Sequence, residues 1–301
     1  MDSEIPLYDR KKSTLEYENI FEQGFMKFIY GTSYGRALEK RVIAKPTFSM
    51  LYGYLQNKSK SKNKIGPFAT AHNIDFSDYE KNENEYTSFN DFFTRKFRPG
   101  KRPIDQNNTN LVSPCDGRLL SFTINNDVVI PVKGKSFSIE ELIGDKALAT
   151  QFKNGHCLIF RLAPMDYHRF CYIDHAKQSK IHRVNGLLHS VSQLSLEKMI
   201  PVFTENYREY TLLSTDNFGP VLHMDVGALV VGKIIQHKRE STKVMRGEEK
   251  GYFEFGGSTI ILLFQQKVIT INADINEYSE KGIETLVIMG EVIGSNITDP
   301  Q

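Results

Sequence analysis

Residues 252 to 264 read YFEFGGSTIILLF. Two runs rich in aromatic and aliphatic residues flank Gly256 and Gly257, a pattern that predicts two strands joined by a turn. The same texture extends outward through the C-terminal two thirds of the chain. LLSFTI (119–124), DVVIPVKG (127–134), CLIFRLAP (157–164), REYTLLS (208–214), VLHMDVGALVVGKIIQH (221–237) and VITI (268–271) are short β-rich runs separated by turn residues. One helical insert, SIEELIGDKALATQF (138–152), interrupts them, with Ser138 as cap and Glu140 and Glu141 in its first turn. Upstream, residues 14 to 56 predict helix. Phe21, Phe25, Phe28 and Ile29 recur at spacings of three and four, Leu38, Val42 and Ile43 follow Gly31 and Gly35, and Pro46 breaks the run. The fold class expected is α+β, with a helical N-terminal region (1–65) leading into a mainly antiparallel β-rich catalytic domain (66–301).

At 301 residues, 40% hydrophobic and 25% charged, the chain can bury a sizeable core. Its 38 basic and 36 acidic residues leave a net charge of +2, which argues against a dedicated nucleic-acid binder. Cys115, Cys157 and Cys171 lack CxxC spacing, so neither a disulfide framework nor a zinc ribbon is indicated, and a reducing cytoplasm is expected. The charged N-terminus lacks a signal peptide's apolar stretch, and no window approaches 18 uninterrupted apolar residues. Phe48, Met50, Leu51, Tyr52, Tyr54 and Leu55 precede Lys58, Lys60, Lys62 and Lys64. Rings and aliphatic chains beside a lysine cluster suit a helix lying on an anionic membrane. A core-facing helix followed by a solvated loop has the same pattern.

Three segments carry candidate chemistry. In GGST a following hydroxyl can attack the Gly257 carbonyl if the glycine backbone bends to allow it, an arrangement that permits an N-to-O acyl shift. Asp116 lies in the turn sequence SPCDGR (113–118), where a carboxylate can orient a histidine. His168 ends an apolar strand in RLAPMDYHRF (161–170), a residue type suited to proton transfer near neutral pH. Each alone also reads as ordinary structure: two turns and a buried histidine. A serine-hydrolase triad of Ser258, His168 and Asp116 lacks the GxSxG elbow.

Together with SFNDFFTRKFRPGKRPID (88–105), APMDYHRF (163–170), VGALVVGKI (226–234) and FGGSTIILLF (255–264), these segments resemble the phosphatidylserine decarboxylase family from about residue 25 to residue 292. The resemblance implies that Ser258 attacks Gly257 and that β-elimination splits the chain into residues 1–257 and 258–301, which stay associated. Ser258 then becomes a covalent pyruvoyl group, the only cofactor implied. This group forms a Schiff base with the amine of phosphatidylserine, and loss of carbon dioxide gives phosphatidylethanolamine. Also implied are a peripheral position on the cytoplasmic face of an anionic membrane and a homodimer. Arg95, Lys96, Arg98, Lys101 and Arg102 are suited to holding phosphate or carboxylate groups. No metal is expected, since the remaining histidines lack spacings such as HExxH.

The sequence departs from the family at one position. Cys171 stands where the family's YHRxH segment has its second histidine, the usual charge-relay residue for self-cleavage. A thiol with an ordinary pKa of about 8.5 is a weak base near neutrality. Three readings stay open: His168 serves both steps, His175 moves into the place, or the chain remains an uncut, catalytically silent phosphatidylserine-binding homologue.

Overall fold

A computed structural model describes residues 5–18, 23–126, 128–129, 136–191, 202–229 and 233–297. The chain opens with a hairpin of β1 (Ile5–Asp9) and β2 (Thr14–Glu18), followed by helices α1 (Gln23–Gly31), α2 (Ser33–Leu38), α3 (Pro46–Gln56), α4 (Ile65–Ala71) and α5 (Phe89–Phe93). Strands β3 (Asn110–Val112), β4 (Gly117–Thr123), β5 (Val128–Val129) and β6 (Phe137–Ser138) lead to α6 (Ile139–Ile143) and α7 (Lys146–Thr150). Then come β7 (His156–Leu162), β8 (Arg169–Cys171), β9 (Ala176–Gln178), β10 (His182–Val184) and α8 (Val202–Glu205). The C-terminal part carries β11 (Arg208–Thr215), β12 (Pro220–Gly227), β13 (Ile234–Gln236), β14 (Thr242–Val244), β15 (Glu249–Phe253), β16 (Ser258–Phe264), β17 (Ile269–Ile271), α9 (Ala273–Glu280), β18 (Glu284–Val287) and β19 (Val292–Asn296).

Eleven strands form one sheet in the order β14-β9-β11-β12-β16-β7-β4-β18-β1-β2, with β10 also on β11; every pairing is antiparallel except β1 with β18. β16 lies near its centre, and each of its seven residues is buried. On one face Ile260, Leu262 and Phe264 join Leu119, Phe160 and Val221 and pack under two three-stranded sheets, β13-β15-β8 and β17-β19-β3. On the other, Ile261 and Leu263 meet Ile159, Met224 and the α6 residues Ile139, Leu142 and Ile143. A fully buried aliphatic or aromatic side chain contributes about 1.5–3 kcal/mol, so a strand covered on both faces is expensive to displace. The α+β class expected from the sequence stands.

Ser138 caps α6 with a reciprocal bond to Glu141, as its sequence indicates. Pro46 ends the upstream run and serves as the first residue of α3, where its missing N–H costs nothing. Residues 14–18 differ from expectation: they are strand, not helix. Ser13 adopts a positive φ of 53° to close the turn, and all five residues of β2 then pair with β1, which satisfies backbone groups an isolated helical turn would leave open. Phe21, part of the 127–134 run and residues 230–232 of VGALVVGKI lie outside the described residues.

A β-bulge at Lys250, between Glu249 opposite Cys171 and Gly251 opposite Phe170, turns that lysine inward. Its ammonium is fully buried, bonded to Asp225 and, at 2.9 Å, to Gln236 Oε1; Gln236 and His223 complete the shell around Asp225 at 2.7 and 3.0 Å. Lys250→Met alone strands a buried carboxylate, and we expect it to destabilise by about 3–5 kcal/mol, whereas Asp225→Leu with Lys250→Met recovers at least half of that loss. Urea unfolding of the two variants beside the wild-type chain measures both.

Candidate active site

Ser258 opens β16, paired with Gly227 of β12 and Leu162 of β7, and is completely buried. The turn before it takes its unusual backbone at Gly256, whose φ of 140° disfavours any side chain. Gly257, where the sequence suggested the strain, lacks a positive φ; a Cβ there would approach Val191 Cγ2 to 3.3 Å. The left-handed residue falls one position earlier because Ser258 already belongs to the sheet.

His168 approaches Ser258 from the other side, with its Nδ1 3.3 Å from the serine Oγ. Its Nε2 lies 3.0 Å from the carbonyl oxygen of Ala163. A carbonyl can only accept, so Nε2 carries the proton and Nδ1 presents its lone pair to the serine hydroxyl. This is the tautomer a general base requires. Phe93 of α5 packs on the imidazole at 4.1 Å, and Phe255 packs on Phe93 at 5.0 Å, so the helical region walls the site. Burial, reinforced by the Arg95 charge, pushes the His168 pKa down to about 3 against the opposing bond to Ala163, and the ring is neutral at physiological pH.

The carbonyl that holds His168 belongs to a tight turn. Ala163-Pro164-Met165-Asp166 closes with Asp166 N–H on Ala163 O at 2.9 Å, proline occupying the second position it favours. The Asp166 carboxylate accepts from Ala163 N–H at 2.6 Å and is paired with Arg118. Arg95, just beyond α5, donates to the carbonyls of Met165 and Asp166 at 2.8 and 3.1 Å.

The other sequence candidates fall in different places. Asp116 accepts a bidentate interaction from Arg102, closest at 2.6 Å, and a bond from Met289 N–H at 2.8 Å. The expected pairing of Asp116 with a histidine is therefore replaced by an arginine pairing, and a backbone carbonyl orients His168. Cys171 is buried in β8, its amide bonded to Pro114 O at 2.9 Å. Burial pushes its thiol up to about 12, against Arg246, so it supplies no base near neutrality. His175 is exposed beyond β8, with its carbonyl on Asp216 N–H. Of the three readings of the cysteine position, the geometry favours His168 in contact with Ser258.

The basic segment also resolves unequally. Arg95 and Arg102 are engaged with protein partners, Lys101 pairs with Asp78 at 2.6 Å, and Lys96 and Arg98 are exposed. The sequence reading missed the roles of Asp166, Arg118 and Phe93. Pro164 followed two residues later by an aspartate was the available signal for the turn. Among the described residues no group of three or more His, Cys, Asp or Glu side chains is arranged to hold a metal ion.

Comparison with known proteins bears on the same segments. The phosphatidylserine decarboxylase family model matches residues 89–295. The chain is 46% identical over 291 residues to phosphatidylserine decarboxylase proenzyme 2 of Clostridium acetobutylicum, covering 96% of this chain and 98% of that protein. It is 42% identical to the phosphatidylserine decarboxylase proenzymes of Clostridium beijerinckii, over 97% and 99% of the two chains, and of Desulfitobacterium hafniense, over 96% and 98%. A family match spanning the helical wall, the His168 turn and the Ser258 strand, with relatives aligned over nearly their whole length, means that this chain belongs to the phosphatidylserine decarboxylase family.

Proposed function

We propose that this chain cuts itself between Gly257 and Ser258 and then decarboxylates phosphatidylserine to phosphatidylethanolamine. The observation that carries the reading is the contact of His168 Nδ1 with Ser258 Oγ at 3.3 Å, in the tautomer that accepts the hydroxyl proton. The relatives' designation as proenzymes supports a precursor that must be processed.

In the processing step His168 Nδ1 takes the Oγ proton as Oγ adds to the Gly257 carbonyl carbon. The Gly257–Ser258 C–N bond then breaks, its nitrogen leaves with that proton, and an ester joins Gly257 to the serine oxygen. Removal of the Cα proton of residue 258 expels the Gly257 carboxylate, and water displaces ammonia from the resulting dehydroalanine to leave a pyruvoyl group on Thr259. The surroundings fit such a group: residue 258 is fully buried, and Phe93 and Phe255 keep water from the nearby imidazole. The pyruvoyl ketone supplies an electron sink for the substrate amine as carbon dioxide leaves.

A membrane-bound substrate requires a surface that meets the bilayer. Seven of the eleven large apolar side chains exposed among the described residues, Phe28, Tyr34, Val42, Met50, Leu51, Tyr54 and Leu55, fall in the α1–α3 region. Lys58 stacks on Tyr54 at 4.2 Å, beside Lys60 and Lys62. Rings and methyl groups with ammonium groups at their margin suit an anionic lipid surface, so this face supports peripheral membrane attachment. Among the described residues no helix is long and apolar enough to cross a membrane.

Freshly made wild-type chain of 34.5 kDa should convert to two fragments, the smaller about 5 kDa, in proportion to its share of the 301 residues. Ser258→Ala should remain whole on a denaturing gel, and fragments from it would refute the cleavage site. Cys171→His should change the cleavage rate by less than about twofold, because the buried thiol being replaced is inert near neutrality.

The pH dependence follows from the depressed His168. A histidine of ordinary pKa 6.5 would lose about thirtyfold of its neutral form between pH 8 and pH 5. His168, already neutral above about pH 3, should show no such acid limb when cleavage is timed across that range.

At the membrane face, Leu51→Glu with Leu55→Glu should weaken co-sedimentation with phosphatidylserine vesicles about tenfold or more and leave cleavage unchanged.

A further inference from the structure

β2 is an edge strand whose outer residues, Leu15 and Tyr17, lie open to solvent, yet the side chain of its last residue, Glu18, is only 7% exposed. The Glu18 carboxylate reaches Arg118 Nε at 2.5 Å with one oxygen and Arg161 NH2 at 2.6 Å with the other. Arg161 also pairs with Glu284. Arg118 also pairs with Asp166 and reaches Met165 Sδ of the same turn at 3.6 Å, and Asp166 holds the amide of Ala163, whose carbonyl fixes His168. A chain of direct contacts thus runs from the N-terminal hairpin to the serine hydroxyl: Glu18, Arg118, Asp166, Ala163, His168, Ser258. The hairpin also walls a cavity of about 140 Å³, where Asp9 and Lys11 face Asp116 and Asp166.

We propose that the N-terminal hairpin is a working part of the site, with Glu18, Arg118 and Asp166 acting as positioning residues that hold the 163–166 turn and thereby aim His168 at Ser258. The inference rests on the reading of His168 as the base for cleavage. Its physical ground is the order of the contacts. A half-buried aspartate whose one cationic partner is a buried arginine is held in place more firmly while that arginine is itself held, and Arg118 lies between Asp166 and Glu18. Burial pushes the Glu18 carboxyl up, but Arg161 and Arg118 more than offset it, so Glu18 stays ionised and the arginines stay compensated. Loss of the Glu18 charge frees Arg118 to shift, the turn relaxes, and the 3.3 Å approach lengthens. Small misplacements of this kind cost large factors in rate.

A cell-free pulse-chase of cleavage, with melting temperatures of the same chains, tests this on Glu18→Gln, Asp166→Asn, their double variant and His168→Ala. We expect Asp166→Asn to slow cleavage about tenfold or more and Glu18→Gln about threefold to tenfold, with the double variant no slower than Asp166→Asn alone. Melting-temperature losses should accumulate in the double variant even so, which separates aim from general stability. Wild-type cleavage in Glu18→Gln overturns the proposal, as does a double variant slowed by the product of the single factors. His168→Ala should stay uncut. Normal cleavage there sinks the reading of His168 as base, whereas an uncut His168→Ala beside an unaffected Glu18→Gln sinks the positioning role alone.

Discussion

The hydrogen bond from His168 Nε2 to the carbonyl of Ala163 determines what the remaining groups can do. It fixes the tautomer, turns the Nδ1 lone pair toward Ser258, and makes the imidazole's aim a property of a backbone turn. A carboxylate in that place would also stabilise the imidazolium formed when the base takes a proton. A neutral carbonyl does so less. The proposed self-cleavage would occur once in the life of each molecule, so a base that is well aimed and weakly supported would meet the demand, and the carboxylates nearby serve other purposes. Asp116 neutralises Arg102, and Asp166 holds the turn.

Burial sorts the nucleophiles and bases around this bond. Desolvation disfavours the charged form of every group it touches. For a histidine that means a neutral ring able to accept a proton, and for a cysteine a protonated thiol unable to do so. Cys171 and His168 share one segment and experience the same effect with opposite consequences. The arginines are exempt because their charge cannot be shed, and each therefore needs a partner: Arg118, Arg161 and Arg169 all find carboxylates inside the protein.

Much of the architecture was legible from local pattern. The runs at 119–123, 157–162, 208–214 and 258–264 are strands, and Ser138 caps the helix its neighbours predict. The failure at residues 14–18 has a definite cause. Apolar spacing there is too sparse to separate a helical period from an alternating one, and a long-range pairing with residues 5–9, itself placed beside β18, decides the matter. The site was legible in its membership and less so in its wiring. Ser258 and His168 could be named from composition and motif, but the partner of a carboxylate depends on which arginine the fold delivers. Arg102 and Arg118 are interchangeable in sequence, and Asp116 and Asp166 nearly so. Only the turn at Ala163, with its proline, carried local information about how the histidine is held.

The position of Ser258 at the head of a central strand has a consequence for any molecule cut at the proposed bond. Residues 258–301 contain β16, β18 and strands of a second sheet, and they pair with β12, β7, β4, β1 and β3 from the other fragment. A break in the covalent chain therefore leaves two polypeptides interlaced through one core. Unfolding such a particle releases two species, so recovery becomes a second-order encounter that slows with dilution. On the proposed reading the precursor would fold as a single chain, while the cut form would persist chiefly because its strands are slow to part.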